Sequence, residues 1–259
     1  ALYYSYYKNG ITKSLFGYGI IGLVTLDLGV LNNEFINVKP KTEMHNKFLK
    51  SPVIDYLISD TSSFRVFPAD EIGSNKYSYW NIESIGGYRP IKLRSYQDLM
   101  DAGGFNRAHI LDMLNVKYVL TNKKINNPSF SAIEDLRGIY ENKNVLPKSW
   151  IVGTIKEVES QKQSLMETML RGFDPSRSAV VLDYEGPEFP KNVSGTVNII
   201  SKKENNIEIS CESKTGGLLV LSEIYYEPGW KAFVNGKETP IFQTNHILRS
   251  IRIPEGNSR

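Results

Sequence analysis

The 259-residue chain has a single cysteine, Cys211. No intramolecular disulfide is possible, which suits a reducing compartment and equally an exported bacterial domain that holds without bridges. Cys211 alternates with Ile207 and Ile209, the pattern of a small buried apolar residue. Histidine is nearly as scarce. His45, His109 and His246 are scattered, with no metal-ligand spacing. CxxC, HExxH, GxSxG and the P-loop pattern are all missing, so no metal or cofactor is expected. Charge of one sign is also lacking. The net charge is +3, spread without a basic block, and no nucleic-acid partner is expected. What remains is an ordinary globular balance, 41% hydrophobic and 23% charged, in a chain long enough for two domains.

One long apolar run stands near the start. Leu15–Leu31 is apolar apart from Thr25, Asp27 and glycines. Its length as a helix is roughly 25 Å, the low end for crossing a bilayer. Tyr3, Tyr4, Tyr6 and Tyr7 precede it, with Lys8 and Lys13 between. Tyrosines suit a membrane interface and the lysines its cytoplasmic side. Asp27 would then sit near the outer interface, where a charge is tolerable. No small-residue cleavage site follows, so a signal peptide fits poorly. The alternative is a helix buried in a soluble core.

After a polar connector, Ser51-Pro52 reads as the start of a helix over Val53–Ile58. Phe64–Phe67 reads as a strand, and Gly86-Gly87-Tyr88-Arg89-Pro90 as a loop. Helices are predicted over Arg94–Ala102, Asn106–Asn115 and Gln161–Arg171, and strands over Val116–Thr121, Trp150–Val152 and Ala179–Leu182. The Pro-rich stretch Gly186–Pro190 marks a hinge. Beyond it Val193–Ile200 and Ile207–Cys211 alternate with period two, and Leu218–Leu221 opens an apolar run. Glu227-Pro228-Gly229-Trp230 is a turn with Gly at the position needing positive φ. Asn235-Gly236 is a two-residue hairpin turn, and Ile247–Ile253 is the last strand. The fold class is α+β. It comprises the end of a preceding membrane segment and a cytoplasmic loop (1–13), a transmembrane helix (14–31), a connector (32–50), a small α/β domain (51–186) and an antiparallel, jelly-roll-like β-sandwich expected to be incomplete at its C-terminus (187–259).

Candidate ligand residues come from two places. Trp230, Tyr225 and Tyr226 beside a turn offer aromatic faces suited to a pyranose; equally, Trp230 could anchor a sandwich core. Arg249 shares a strand face with Ile247, Ile251 and Ile253 when counted by twos. A charge there is costly unless paired. Either a carboxylate such as Glu223 meets it, or it faces a ligand or a neighbouring domain. Tyr88 and Arg89 follow a Gly-Gly corner and could contact a phosphate, a glycan or another domain. Asn192-Val193-Ser194 fits a glycosylation acceptor by pattern only.

The order of several short words resembles the C-terminal extracytoplasmic part of the YfhO-like bacterial membrane proteins. They are Leu26-Asp27-Leu28, then Gly87-Tyr88-Arg89-Pro90, then Leu111-Asp112-Met113-Leu114-Asn115-Val116-Lys117-Tyr118. Leu146-Pro147-Lys148-Ser149-Trp150 and Tyr225-Tyr226-Glu227-Pro228-Gly229-Trp230 follow. Asn235-Gly236-Lys237 and Asn245 through Pro254, with Gly256, complete the set. Asn245 joins the ligand candidates from the last of these words. The resemblance implies a polytopic GT-C-type glycosyltransferase in the bacterial cytoplasmic membrane, with residues after about 32 outside the cytoplasm. It implies transfer of sugar from a polyprenyl-phosphate carrier, with the bilayer and a glycan or polyprenyl-phosphate sugar as partners. The catalytic carboxylate is expected in an early loop outside this chain, so no catalytic residue carries over. The sandwich is expected to lack a closing strand after Gly256.

Overall fold

The structure, a computed structural model, describes residues 2–36, 38, 40–42 and 49–259. His45 and part of the expected connector lie outside these. The chain divides into two compact units, Ala1–Leu49 and Lys50–Arg259.

The first unit holds α1 (Leu2–Tyr7) and α2 (Lys13–Phe35). Thr12 caps α2, its side-chain oxygen accepting from the Leu15 amide at 3.3 Å, which satisfies one orphan donor of the first turn. Tyr6 stacks on Phe16 at 4.7 Å, and a Cβ on Gly19 would meet Leu2 at 2.8 Å, so the glycine admits α1. Lys13–Asn33 is long and apolar enough to cross a membrane, with a mean hydropathy of 1.7, and none of it is buried. Its 21 residues rise about 31 Å, the thickness of a hydrocarbon core. The helix is therefore longer than the apolar run alone predicts. It is apolar on all sides, as a span is and a surface helix is not.

The second unit is mixed α+β. A four-stranded sheet runs β1-β2-β4-β3 (Arg65–Pro68, Val116–Leu120, Phe130–Ala132 and Ile139–Asn142 for β1 to β4). β1 and β2 are parallel, so a long crossover must join them. It carries α4 (Lys76–Tyr79), α5 (Arg94–Asp101) and α6 (Ala108–Met113). α3 (Pro52–Ser59) precedes β1, capped by Ser51 accepting from the Ile54 amide. Its Ile54 and Leu57 cluster with Val66, Tyr118, Leu120 and Ile139 of this sheet.

A curled six-stranded sheet follows, in order β5-β10-β14-β13-β7-β6. Its strands are Ser149–Val152, Thr154–Val158 and Ser178–Leu182 (β5 to β7), with Gly217–Ile224 (β10), Phe242–Thr244 (β13) and Leu248–Ile253 (β14). β6 and β7 are parallel, with α7 (Gln161–Thr168) in the crossover between them. A boundary at residues 186/187 falls inside this sheet. Strands from both sides of it interleave, and one core holds Phe67, Leu99 and Met113 together with Leu218, Val220 and Leu248. The reason is pairing: β10 lies between β5 and β14, which binds the two halves edge to edge.

The opposite face of the six-stranded sheet meets a three-stranded sheet, β15-β9-β8 (Gly256–Ser258, Asn206–Ser213, Gly195–Lys203). Cys211 of β9 packs there with Leu219 and Ile253. The Leu218–Leu221 run is thus explained. Leu218 and Val220 face one core and Leu219 the other, and a strand covered on both faces reads as a continuous apolar run. The chain does form a strand from Gly256. It pairs with β9 from Gly256↔Ser213 to Ser258↔Cys211, the chain entering the pairing at the positive φ of Gly256, +91°, so this edge of β9 is occupied. Finally, β11 (Ala232–Val234) and β12 (Lys237–Thr239) form the predicted hairpin. Asn235 and Gly236 both take positive φ, 51° and 81°, as a type I′ turn requires.

Candidate functional site: the cleft at Trp230 and Arg249

Between the three-stranded sheet, β10, β14 and the β11–β12 hairpin lies a cleft of about 630 Å³. Strand alternation builds it. Leu219 and Leu221 of β10 and Ile251 of β14 form the floor, Ile207 and Ile209 of β9 the facing wall, and Phe233 belongs to the hairpin side. Arg249 stands in this apolar surround because it keeps the parity of Ile251 and Ile253. Ile247 does not share that face. It lies in the other core, since Asn245 and His246 take positive φ, 47° and 67°, and break the alternation just before β14.

The Arg249 guanidinium sits 4.3 Å from the centre of the Trp230 ring, a cation–π contact. The expected carboxylate partner is engaged elsewhere, because Glu223 binds Arg65 and Lys202. Among the described residues no carboxylate pairs with Arg249, and its Nε is buried without a hydrogen-bond partner. Burial draws the guanidinium pKa down, opposed by the more distant Glu223 charge. At the rim, Arg259 binds Glu208, with Nε donating at 2.6 Å.

The other candidates are dispersed. Tyr225 is half-buried, its amide donating to the Ile247 carbonyl at 2.7 Å. Tyr226 is half exposed. Asn245 is fully buried, and its Oδ1 accepts from the Val180 amide at 2.9 Å, which ties β13's end to β7. Tyr88 and Arg89 lie in the exposed loop after Gly87. The structure therefore brings together Trp230 and Arg249.

A second charged constellation was not anticipated. Arg65 of β1 donates from Nη2 to Glu223 at 2.8 Å and from Nη1 to Ser222 at 2.9 Å and the Leu114 carbonyl at 3.1 Å. Its Nε is 3.3 Å from Glu83. Lys148 reaches Glu83 at 2.6 Å with its side chain only 4% exposed. Lys202 bridges Glu83 and Glu223 at 3.3 and 2.7 Å. Burial pushes the Lys148 pKa down to about 8 against the pull of Glu83. Burial alone would raise the Glu83 pKa, but Lys148, Arg65 and Lys202 together outweigh it and hold it below the usual range. The sequence signal was slight: Arg65 opens an otherwise apolar strand, and Lys148 stands between Pro147 and Ser149.

Among the described residues no cluster of three or more His, Cys, Asp or Glu could hold a metal. No protein-family model, curated protein or solved structure matches the chain.

Proposed function

We propose that this chain is the extracytoplasmic region of a polytopic membrane glycosyltransferase-like protein, anchored by α2. On this reading the two β layers form a sandwich whose cleft holds a polyprenyl-phosphate sugar or acceptor glycan, with catalysis lying elsewhere in a longer protein. One observation carries it: Arg249, stacked on Trp230, keeps an unpartnered buried Nε in an apolar cleft. A guanidinium fork suits a phosphate, an indole face suits a pyranose or an isoprene, and the apolar walls suit the first units of a polyprenyl chain. The volume lies within the range of small-molecule sites.

Farnesyl phosphate is a tractable probe. Titrated into the full chain in nanodiscs, it is expected to shift Trp230 emission, and farnesol much less. Arg249→Gln is expected to weaken binding about tenfold or more, the loss of a charge-assisted hydrogen bond. Equal affinity in the wild type and Arg249→Gln would overturn the reading. A second reading, a carbohydrate-binding or purely structural cap, draws on the same stack, since Trp230 already covers the guanidinium. Binding of a neutral oligosaccharide unaffected by Arg249→Gln, or no binding together with a large loss of stability in that variant, would favour it.

A further inference from the structure

The loop Gly86–Leu93 carries an exposed apolar and basic edge with no role in the cleft. Ile91 is 88% exposed, Tyr88 71% and Leu93 36%. Large apolar groups held in water this way mark a contact surface. Between Ser84 and Gln97 there is no acidic residue, and Arg89, Lys92 and Arg94 alternate with the apolar positions. Arg94 is engaged with Asp98 at 2.7 Å. Arg89 and Lys92 are exposed and make no ion pair among the described residues.

The loop is also held in shape. The Asn75 side chain accepts from the Tyr88 amide at 2.8 Å and donates to the Tyr88 carbonyl at 3.2 Å. The Gly87 amide donates to the Ile72 carbonyl at 2.6 Å, and a Cβ on Gly86 would come within 2.5 Å of that same oxygen. The Tyr96 hydroxyl donates to the Ile85 carbonyl. With its base fixed, the loop presents its apolar tips without paying the ordering entropy at the moment of contact.

We infer that this loop docks on an anionic lipid surface, inserting Ile91 and Tyr88 among the headgroups while Arg89 and Lys92 meet lipid phosphates. Apolar tips flanked by Lys and Arg are the chemistry of an interfacial anchor. The inference rests on the reading that α2 crosses a bilayer, which places an anionic surface within the chain's own reach. Only residues 34–49 separate that span from the second unit. Each basic residue near such a surface contributes about 1 kcal/mol, so the two together favour contact by roughly thirtyfold.

The test uses the full chain in vesicles of phosphatidylcholine with and without phosphatidylglycerol. Cys211 is buried, so Ile91→Cys supplies one accessible thiol for an environment-sensitive fluorophore. The expected result is a blue shift and quenching by a shallow spin-labelled lipid in phosphatidylglycerol vesicles. Both should be lost in Arg89→Gln/Lys92→Gln and at high salt. A label at the exposed Lys162→Cys should stay water-like. A label at Val24→Cys, quenched by a deep spin label, reports the span separately. If Val24 is quenched and Ile91 remains water-like in both lipids, the docking inference fails while the span stands. Quenching at Ile91 that is equal in both lipids and indifferent to the double substitution also overturns it.

Discussion

Arg65 and Arg249 are both cations drawn into the body of the second unit, and their surroundings are opposite. Arg65 satisfies its guanidinium on two carboxylates, a hydroxyl and a backbone carbonyl. Arg249 has the face of Trp230 and an unpartnered Nε. A buried charge with every donor engaged closes a structure. One with a donor left over, at the wall of a cleft, is available to something else. The Arg65 network also joins β1, β8, β10 and the segment before β5, so it fixes how the four-stranded, six-stranded and three-stranded sheets meet. Arg249 sits on the other face of the same six-stranded sheet, against Trp230 beside the hairpin.

The largest effect expected from this contrast is on Arg65→Met. Removing one partner of a buried, hydrogen-bonded charge network costs about 3–5 kcal/mol, so chemical denaturation of the second unit should shift strongly. A loss below about 1 kcal/mol would mean that Glu83 and Glu223 are served by Lys148 and Lys202 alone, and the contrast with Arg249 would collapse.

The next effect is a pH dependence. Lys148 holds its proton less tightly when folded, with a pKa of about 8 against an ordinary 10.5. Between those values the unfolded chain carries a proton that the folded chain has released. Unfolding then takes up a proton, and stability rises with pH across that window. From pH 8 to pH 10 the rise is expected to be about 2 kcal/mol. Burial pushes the Tyr96 phenol up to about 12, which works in the opposite direction above pH 10, so the comparison is made against Lys148→Met. That variant should lose the rise. An identical pH profile in both proteins would show that Lys148 remains charged in the folded state.

Asn245 offers a smaller effect. Its Oδ1 accepts from the Val180 amide, and its φ is 47°. Asn245→Ala loses the buried hydrogen bond and places Ala in the left-handed region, about 2 kcal/mol together. Asn245→Gly relieves the backbone part only, so it should recover about half of that. Equal losses in the two variants would assign the whole effect to the amide.

Much of this architecture was legible in the chain. Ser51-Pro52, Asn235-Gly236 and the Leu218 run each pointed to the element that forms, because a cap, a type I′ turn and a doubly buried strand have local chemistry. The pairing of β10 with β5 was not legible, since 65 residues lie between Val152 and Leu218 and nothing local fixes such a partner. For the same reason the predicted hinge at Gly186–Pro190 falls within one sheet's span. Parity placed Arg249 on an apolar face with Ile251 and Ile253, but it could not see the positive φ at Asn245 and His246 that takes Ile247 off that face. Nor could it decide whether Glu223 would meet the guanidinium. That choice was made by Arg65, from a strand about 160 residues earlier, which takes Glu223 for itself.

The smallest stability effect should come from Arg249→Met, and it is the sharpest test of the contrast. Met keeps the length and apolar body of the side chain and removes the charge. The lost cation–π contact is worth about 0.5–2 kcal/mol. Against it stands the relief of a desolvated, unpaired guanidinium, which is of similar size or larger. The net change should therefore lie within about 1 kcal/mol of zero, with stabilisation as acceptable an outcome as loss. Arg65→Met, measured alongside, supplies the scale. If Arg249→Met is as damaging as Arg65→Met, the guanidinium is a structural group and its free Nε no longer argues for a ligand. If it is neutral while farnesyl phosphate binding falls, the sheet tolerates a costly charge whose use lies outside the fold.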